Sequence, residues 1–171
     1  MPEFQYKKDL ESLDPGLFTL INLEEERQAR RLIMIPSESI APLAVRQALG
    51  SSFTNIYAEG YPRPETLGFT EEEILDYTNM LGTYRRYADP RYYKGVEYVD
   101  IVEALTRRRC AEAFAANGVS ADQIYPNVQP LSGAPANNAV YTAFLQPGDT
   151  ILGMNLLDRK STRLNSSHVS Q

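Results

Sequence analysis

Of the 171 residues, one is cysteine, one is histidine and none is tryptophan. The lone Cys110 excludes an internal disulfide framework and a Cys-rich zinc site, and it fits a reducing compartment. The lone His168 excludes multi-histidine metal ligation within these residues, so no metal site is expected. No apolar run approaches the roughly 18 to 20 residues that a membrane helix needs. The acidic, proline-interrupted start also lacks the basic and apolar regions of a signal peptide. A cytoplasmic protein is expected. Positive charge is scarce too: 17 Lys and Arg against 22 Asp and Glu leave a net charge of -5, with no electrostatic footprint for nucleic acid or anionic membrane. Neither a Walker sequence nor G-x-G-x-x-G occurs, which weighs against nucleoside triphosphates and dinucleotides.

What is present is a globular composition, 43% hydrophobic and 23% charged, in a chain long enough for about one domain with one core. Asp14 and Pro15 open a helix whose apolar stripe is Leu17, Leu20 and Ile21, with Glu26 four residues before Arg30. Ile33 to Ile35 reads as a short extended segment that meets Pro36-Ser37-Glu38-Ser39. A helix follows from Pro42 to Leu49, stopped by Gly50. Residues 51–62 form a turn-like aromatic loop. Thr70 and Glu73 make a capping box, and Ile74, Tyr77, Leu81 and Tyr84 recur at helical spacing, which predicts one helix over 70–87. A second, stronger helix is predicted from Glu97 to Ala116, on Tyr98, Ile101, Val102 and Leu105, with Asn117-Gly118 as its end.

The stretch from Ile124 to Leu156 carries the fold class. Ile124 to Val128 reads as a strand. Ala136, Ala139, Val140, Ala143 and Phe144 form a helical stripe, Pro147-Gly148-Asp149 a turn, and Thr150 to Met154 a buried strand. Strand, helix and strand in this span are the minimum of a right-handed crossover, so an α/β fold with a parallel sheet is expected.

After Leu157 the pattern breaks, and three of the 17 basic residues fall in a segment with one of the 22 acidic ones. Asp158 to His168 reads D-R-K-S-T-R-L-N-S-S-H, which matches a translated sequencing-library adapter. Residues 158–171 are therefore expected to be non-native, with a natural flexible tail as the alternative. His168 receives no catalytic role in either case.

Three places carry candidate chemistry. Ser132 and Gly133 lie between the predicted strand and helix, where unpaired amides and the helix dipole favour an anion such as phosphate. The competing reading is that Ser132 is a plain N-cap. Tyr57, Glu59 and Tyr61, joined by Tyr92 and Tyr93, form an aromatic cluster whose phenols suit phosphate or carboxylate. A carboxyl partly buried there would suit proton transfer, and a core or interface cluster is the alternative. Ser37 and Glu38 form a third polar pair, with helix capping as the alternative.

The succession I-P-S-E-S, T-N-I-Y-A-E-G-Y-P, R-Y-Y-K-G-V-E-Y-V-D, N-V-Q-P-L-S-G-A-P-A-N and P-G-D-T-I-L-G-M-N-L resembles the N-terminal part of serine hydroxymethyltransferase. The five motifs stand in the family's order and cover most of residues 30–157. The resemblance implies an incomplete large domain of a fold-type I, aspartate-aminotransferase-like enzyme. It further implies pyridoxal 5'-phosphate as cofactor, tetrahydrofolate as co-substrate, serine and glycine as substrates, and a homodimer or higher oligomer whose subunits share each active site. On matching positions, Ser132 and Gly133 would hold the cofactor phosphate and Tyr57 would reach the phosphate of the partner's cofactor. Glu59 would handle the substrate hydroxyl proton, Ser37 and Tyr93 would lie around the amino acid, and Leu156 would contact folate.

The departures are specific. S-E-N of the family is Ser37-Glu38-Ser39 here, and S-G-S-Q is Ser132-Gly133-Ala134-Pro135, so one phosphate-binding hydroxyl is absent at Ala134. About 27 residues more than the family's short link lie between Pro62 and Arg91. The expected organisation is a helical arm over 1–50, active-site and dimer loops over 51–98 with an inserted helix at 64–90, and the start of the cofactor-binding α/β domain over 99–157. The family's ring-stacking His, pyridine-pairing Asp, Schiff-base Lys and carboxylate-binding Arg all follow the matched part, and neither Lys94 nor Lys160 matches that lysine. The chain is therefore expected to be an inactive fragment of the enzyme. The rival readings are another fold-type I enzyme and a non-catalytic phosphate-binding α/β module.

Overall fold

A computed structural model describes residues 8–35, 38–88 and 90–153. They divide into two compact units at Ile40 and Ala41. The first unit holds α1 (Leu10–Leu13) and α2 (Pro15–Arg30). As the sequence predicts, Asp14 caps α2: its Oδ1 accepts from the Leu17 N–H at 2.9 Å, and Pro15 supplies a first-turn residue that needs no donor. Glu26 and Arg30 pair one turn apart. The stripe of Leu17, Leu20 and Ile21 is exposed.

In the second unit, α3 (Leu43–Leu49) ends at Gly50, as predicted. A 3-10 turn at Ser52–Asn55 leads into the aromatic loop, and another spans Pro64–Gly68. The predicted helix over 70–87 is in fact two, α4 (Glu71–Leu75) and α5 (Tyr77–Tyr87). The capping box of Thr70 and Glu73 forms as read. The break comes at Asp76, whose side chain leaves the helix and caps α5 by accepting from the Asn79 N–H at 3.0 Å. An aspartate favours that local bond over a helix interior.

α6 (Glu97–Phe114) is the central element. Its buried side is not the predicted stripe: Ile101 is buried, but Tyr98 and Val102 are exposed. The buried residues run Asp100, Ile101, Glu103, Ala104, Arg107 and Ala111. Three of these are charged, and hydrophobic periodicity is blind to them. Ile74 of α4 packs fully buried against Ile101 and Ala104, with Phe69, Met80, Leu81 and Leu105 around them. The helix ends before Asn117 (φ 53°) and Gly118 (φ 85°), the left-handed pair that the sequence marks as its stop.

α7 (Gly133–Phe144) forms as predicted, but its stripe is largely exposed, with Val140 and Phe144 both in the open. The turn at Pro147-Gly148-Asp149 also forms, with the Asp149 carboxylate accepting from the Gln146 N–H at 2.8 Å. The described residues contain helices and turns but no strand, so Ile124 to Val128 and residues 150–153 are unpaired among them, and Met154, the end of the second expected strand, lies outside the described residues. Ile124 has extended dihedrals, φ -108° and ψ 125°, yet has no neighbouring strand. A parallel strand is stable only inside a multi-stranded sheet covered on both faces. No helix among the described residues is long and apolar enough to cross a membrane.

Candidate active site

The loop of Tyr57, Glu59 and Tyr61 is held from beneath by one arginine. Arg91 is buried, with 1% of its side chain exposed. Its Nη1 donates to the carbonyls of Ala58 (2.6 Å) and Gly60 (2.9 Å), the two residues that flank Glu59. Its Nε pairs with Asp100, and its Nη2 donates to Glu103 Oε2 at 2.7 Å. Asp100 and Glu103 stand one turn apart on α6, so the helix presents both carboxylates to one guanidinium. Burial alone works against the charge on Arg91, but the hydrogen bonds to Asp100 and Glu103 outweigh it and hold the group above its ordinary range. Nearby Arg107 goes the other way: burial pushes it down, and Arg91 adds to that while Glu103 and Asp100 oppose it. Arg107 Nη2 donates to Thr66 at 2.9 Å, while its Nε is buried without a partner.

Gly60 fits this clasp because it is glycine. Its φ is 105°, and a Cβ there would stand 3.2 Å from Arg91 Cα, so both the conformation and the space select against a side chain. The Tyr92 N–H donates to the Glu59 carbonyl at 3.0 Å, which lays the second motif alongside the first. The Tyr57 and Tyr93 rings then come within 5.4 Å, and Tyr92 meets Tyr93 edge-on at 5.0 Å. Of the five residues grouped from the sequence, Tyr57, Glu59, Tyr92 and Tyr93 meet across the intervening segment, while Tyr61 turns to Asn127 instead. Glu59, however, is exposed rather than partly buried, because the clasp takes hold of its backbone and leaves its carboxylate outward.

The same network extends to the residues that precede Ser132 and Gly133 in the chain. Gln129 Nε2 donates to the Gly60 carbonyl at 2.7 Å and to Glu103 at 3.0 and 3.2 Å. Asn127 Nδ2 donates to the Tyr61 phenol at 3.3 Å. Three residues beyond Gln129, Ser132 occupies the N-cap of α7 in extended backbone, but its side chain makes no capping hydrogen bond. Ser132 thus holds the N-cap position that the plain capping reading gives it, without the side-chain hydrogen bond of a cap. A Cβ on Gly133 would meet nothing within 4 Å, so the amide end of α7 is open to approach.

Ser37 and Leu156 lie outside the described residues. Arg91, Asp100, Glu103 and Gln129 were missed by the sequence reading as site-forming residues. The available signal was two acids one turn apart in a helix whose predicted stripe did not include them. An apolar cavity of about 170 Å³ lies between α5 and α6, lined by Met80, Tyr84 and Ile101 among others, but none of Tyr57, Glu59, Tyr93 or Ser132 lines it. No group of three potential metal ligands occurs among the described residues.

Comparison with known proteins gives a consistent result. The family model described as serine hydroxymethyltransferase matches residues 10–87 and 68–162. The serine hydroxymethyltransferase of Bordetella avium is 41% identical over 155 residues, 91% of this chain and 29% of the relative. That of Sulfurovum sp. is 42% identical over 86% of this chain and 27% of the relative. That of Levilactobacillus brevis is 43% identical over 84% and 27%. The chain thus spans under a third of the length of these relatives. With matches of this extent on top of the clasped tyrosine loop, the chain belongs to the serine hydroxymethyltransferase family.

Proposed function

We propose that these residues are the front part of a pyridoxal-phosphate-dependent enzyme that interconverts serine and glycine and exchanges a one-carbon unit with tetrahydrofolate. The observation that carries the reading is the clasp that sets Tyr57 against Tyr93 and leaves the Glu59 carboxylate outward, since these are the positions the family's chemistry uses. The donor set at α7 fits a phosphate: a hydroxyl not spent on capping, open helix-end amides, and no Cβ at Gly133. Pro135 contributes no N–H and Ala134 no hydroxyl, so Ser132 and Gly133 carry more of the binding than in S-G-S-Q relatives.

In this reading Ser132 and Gly133 hold the phosphate of one cofactor, and the Tyr57 phenol donates to that of the partner's. The cofactor, when bound, supplies the electron sink for bond cleavage at the amino acid's α-carbon. Tyr93 and Ser37 orient the amino acid, Leu156 meets folate, and Glu59 holds and moves the proton of the substrate hydroxyl. An exposed Glu59 suits a site completed by a second subunit, so a homodimer or higher oligomer belongs to the proposal. So do the α/β architecture, in which Ile124 to Val128 and Thr150 to Met154 gain their sheet neighbours, and the organisation into 1–50, 51–98 and 99–157. A cytoplasmic setting is supported by the single Cys110.

None of the 171 residues matches the family's cofactor-binding lysine, so the chain alone is proposed to be inactive. The test compares glycine formation from serine and tetrahydrofolate by the full-length gene product and by the purified 171 residues. Turnover is expected only from the former, with a yellow cofactor complex and about a 100-fold or greater loss in Glu59→Gln. A colourless, inactive full-length product overturns the assignment, and turnover by the 171 residues overturns the inactive-fragment reading.

A further inference from the structure

The segment between the two tyrosine motifs is tied at both ends to the residues that flank it. Just after Pro62, the Arg63 guanidinium lies over the Tyr87 ring of α5 at 4.8 Å. Just after Lys94, the Gly95 N–H donates to the phenolic oxygen of Tyr84, also on α5, at 3.0 Å. Gly95 has φ 83°, so it turns the chain directly behind Tyr92 and Tyr93. Lys94 Nζ closes the same turn onto the Arg91 carbonyl at 2.9 Å.

Between those ends, the segment is fixed to α6. Ile74 is buried against Ile101 and Ala104, Thr66 accepts from Arg107 at 2.9 Å, and Glu71 accepts from Arg109 at 2.6 Å. α6 is also the helix whose Asp100 and Glu103 hold Arg91. A surface decoration requires no hydrogen bond to a site turn. This one is anchored on the helix that holds the site, and it reaches the turn with a phenol.

Resting on the function proposed above, we propose that residues 64–90 brace the substrate-facing turn, and that Tyr84 is a positioning residue. Its phenolic oxygen fixes the Gly95 amide and so sets the direction of Tyr93, two residues earlier, toward the amino-acid substrate. Tyr84→Phe in the full-length enzyme keeps the ring and removes the hydroxyl, and with it the acceptor for the Gly95 amide. The KM for serine should rise about 3- to 10-fold, the range of one lost hydrogen bond, with kcat and the thermal midpoint little changed. Peptide-level hydrogen exchange across residues 91–98 should speed up with or without cofactor.

An unchanged KM together with unchanged exchange overturns the brace. A lower thermal midpoint with parallel losses in kcat and cofactor binding shows a folding role and overturns the positioning one. Wild-type enzyme that forms no glycine from serine overturns the functional reading, and with it the role of Tyr84 toward substrate.

Discussion

The Arg91 guanidinium binds two backbone carbonyls, Asp100 and Glu103, and Gln129 shares Glu103 and the Gly60 carbonyl with it. Truncating it leaves two carboxylates on α6 without their cation and two loop carbonyls without their donor. Removing one partner from a buried ion pair costs about 3–5 kcal/mol. Arg91→Ala in the full-length enzyme is therefore expected to lower the unfolding free energy by that order and to free the Glu59 loop. Arg91→Lys should recover part of the stability but not the loop, because one ammonium cannot reproduce the guanidinium fork. Urea unfolding and hydrogen exchange over residues 57–62 read the two effects separately. At Gly60, substitution by Ala should act in the same direction, since the new Cβ would press on Arg91 Cα at 3.2 Å. Part of this cluster is legible in the sequence: Tyr57, Tyr92 and Tyr93 do come together, and their aromatic composition is unusual for loops, whereas Tyr61 bonds Asn127, a partner that no local pattern names. Glu59 was placed in the right cluster but given the wrong exposure, since no pattern tells whether a clasp grips a residue's backbone or its side chain.

At the scale of elements, caps were the most readable feature and faces the least. Asp14, Thr70, Glu73, Gly50 and Gly118 act where their chemistry says they should, because a cap is settled within four or five residues. Asp76 was readable in principle and was overridden by the helical spacing of Ile74, Tyr77 and Leu81. Asp76→Ala is expected to remove the cap of α5 at a cost of about 1 kcal/mol, measured as a shift in the denaturation midpoint. The buried face of α6 was misread because Asp100, Glu103 and Arg107 are buried through mutual pairing, which depends on Arg91 and Thr66 far away in sequence. In α2, Glu24 accepts from Arg27 at 2.6 and 2.7 Å and from Gln28 at 2.7 Å. These bonds, with Arg27 foremost, hold its carboxyl at about 2 against an ordinary 4.5. A depressed carboxyl contributes fully above pH 4.5 and loses its contribution as the pH falls toward 2. Helical circular dichroism should therefore decline more between pH 5 and 2 in the wild type than in Glu24→Gln. The difference should be small and should shrink in salt, because the pair is fully exposed.

At the scale of the molecule, the described residues bury few large apolar side chains. Ile74, Val96 and Ile101 are buried together with Ala104 and Ala111, whereas Leu20, Leu32, Val140, Phe144 and Leu152 are exposed. Burial at about 25 cal/mol per Å² is the main favourable term in folding, and a core this small offsets little chain entropy. The purified 171 residues are expected to melt over a broad range and to bind a hydrophobic dye before heating, checked by circular dichroism and dye fluorescence. A sharp cooperative transition would instead mark a self-standing module. The α/β expectation belongs to this scale as well. Strand composition at Ile124 to Val128 was legible, but a strand exists only through its neighbours, and five residues cannot state who those neighbours are.

Gln129 draws these scales together. Its amide grips the loop of Glu59 on one side, and three residues later comes Ser132, at the N-cap of α7. In the shared-site arrangement proposed here, that helix serves the cofactor of its own subunit while the loop serves the neighbour's. On that proposal, one neutral side chain would join the loop offered to the neighbour to the approach of the helix kept at home.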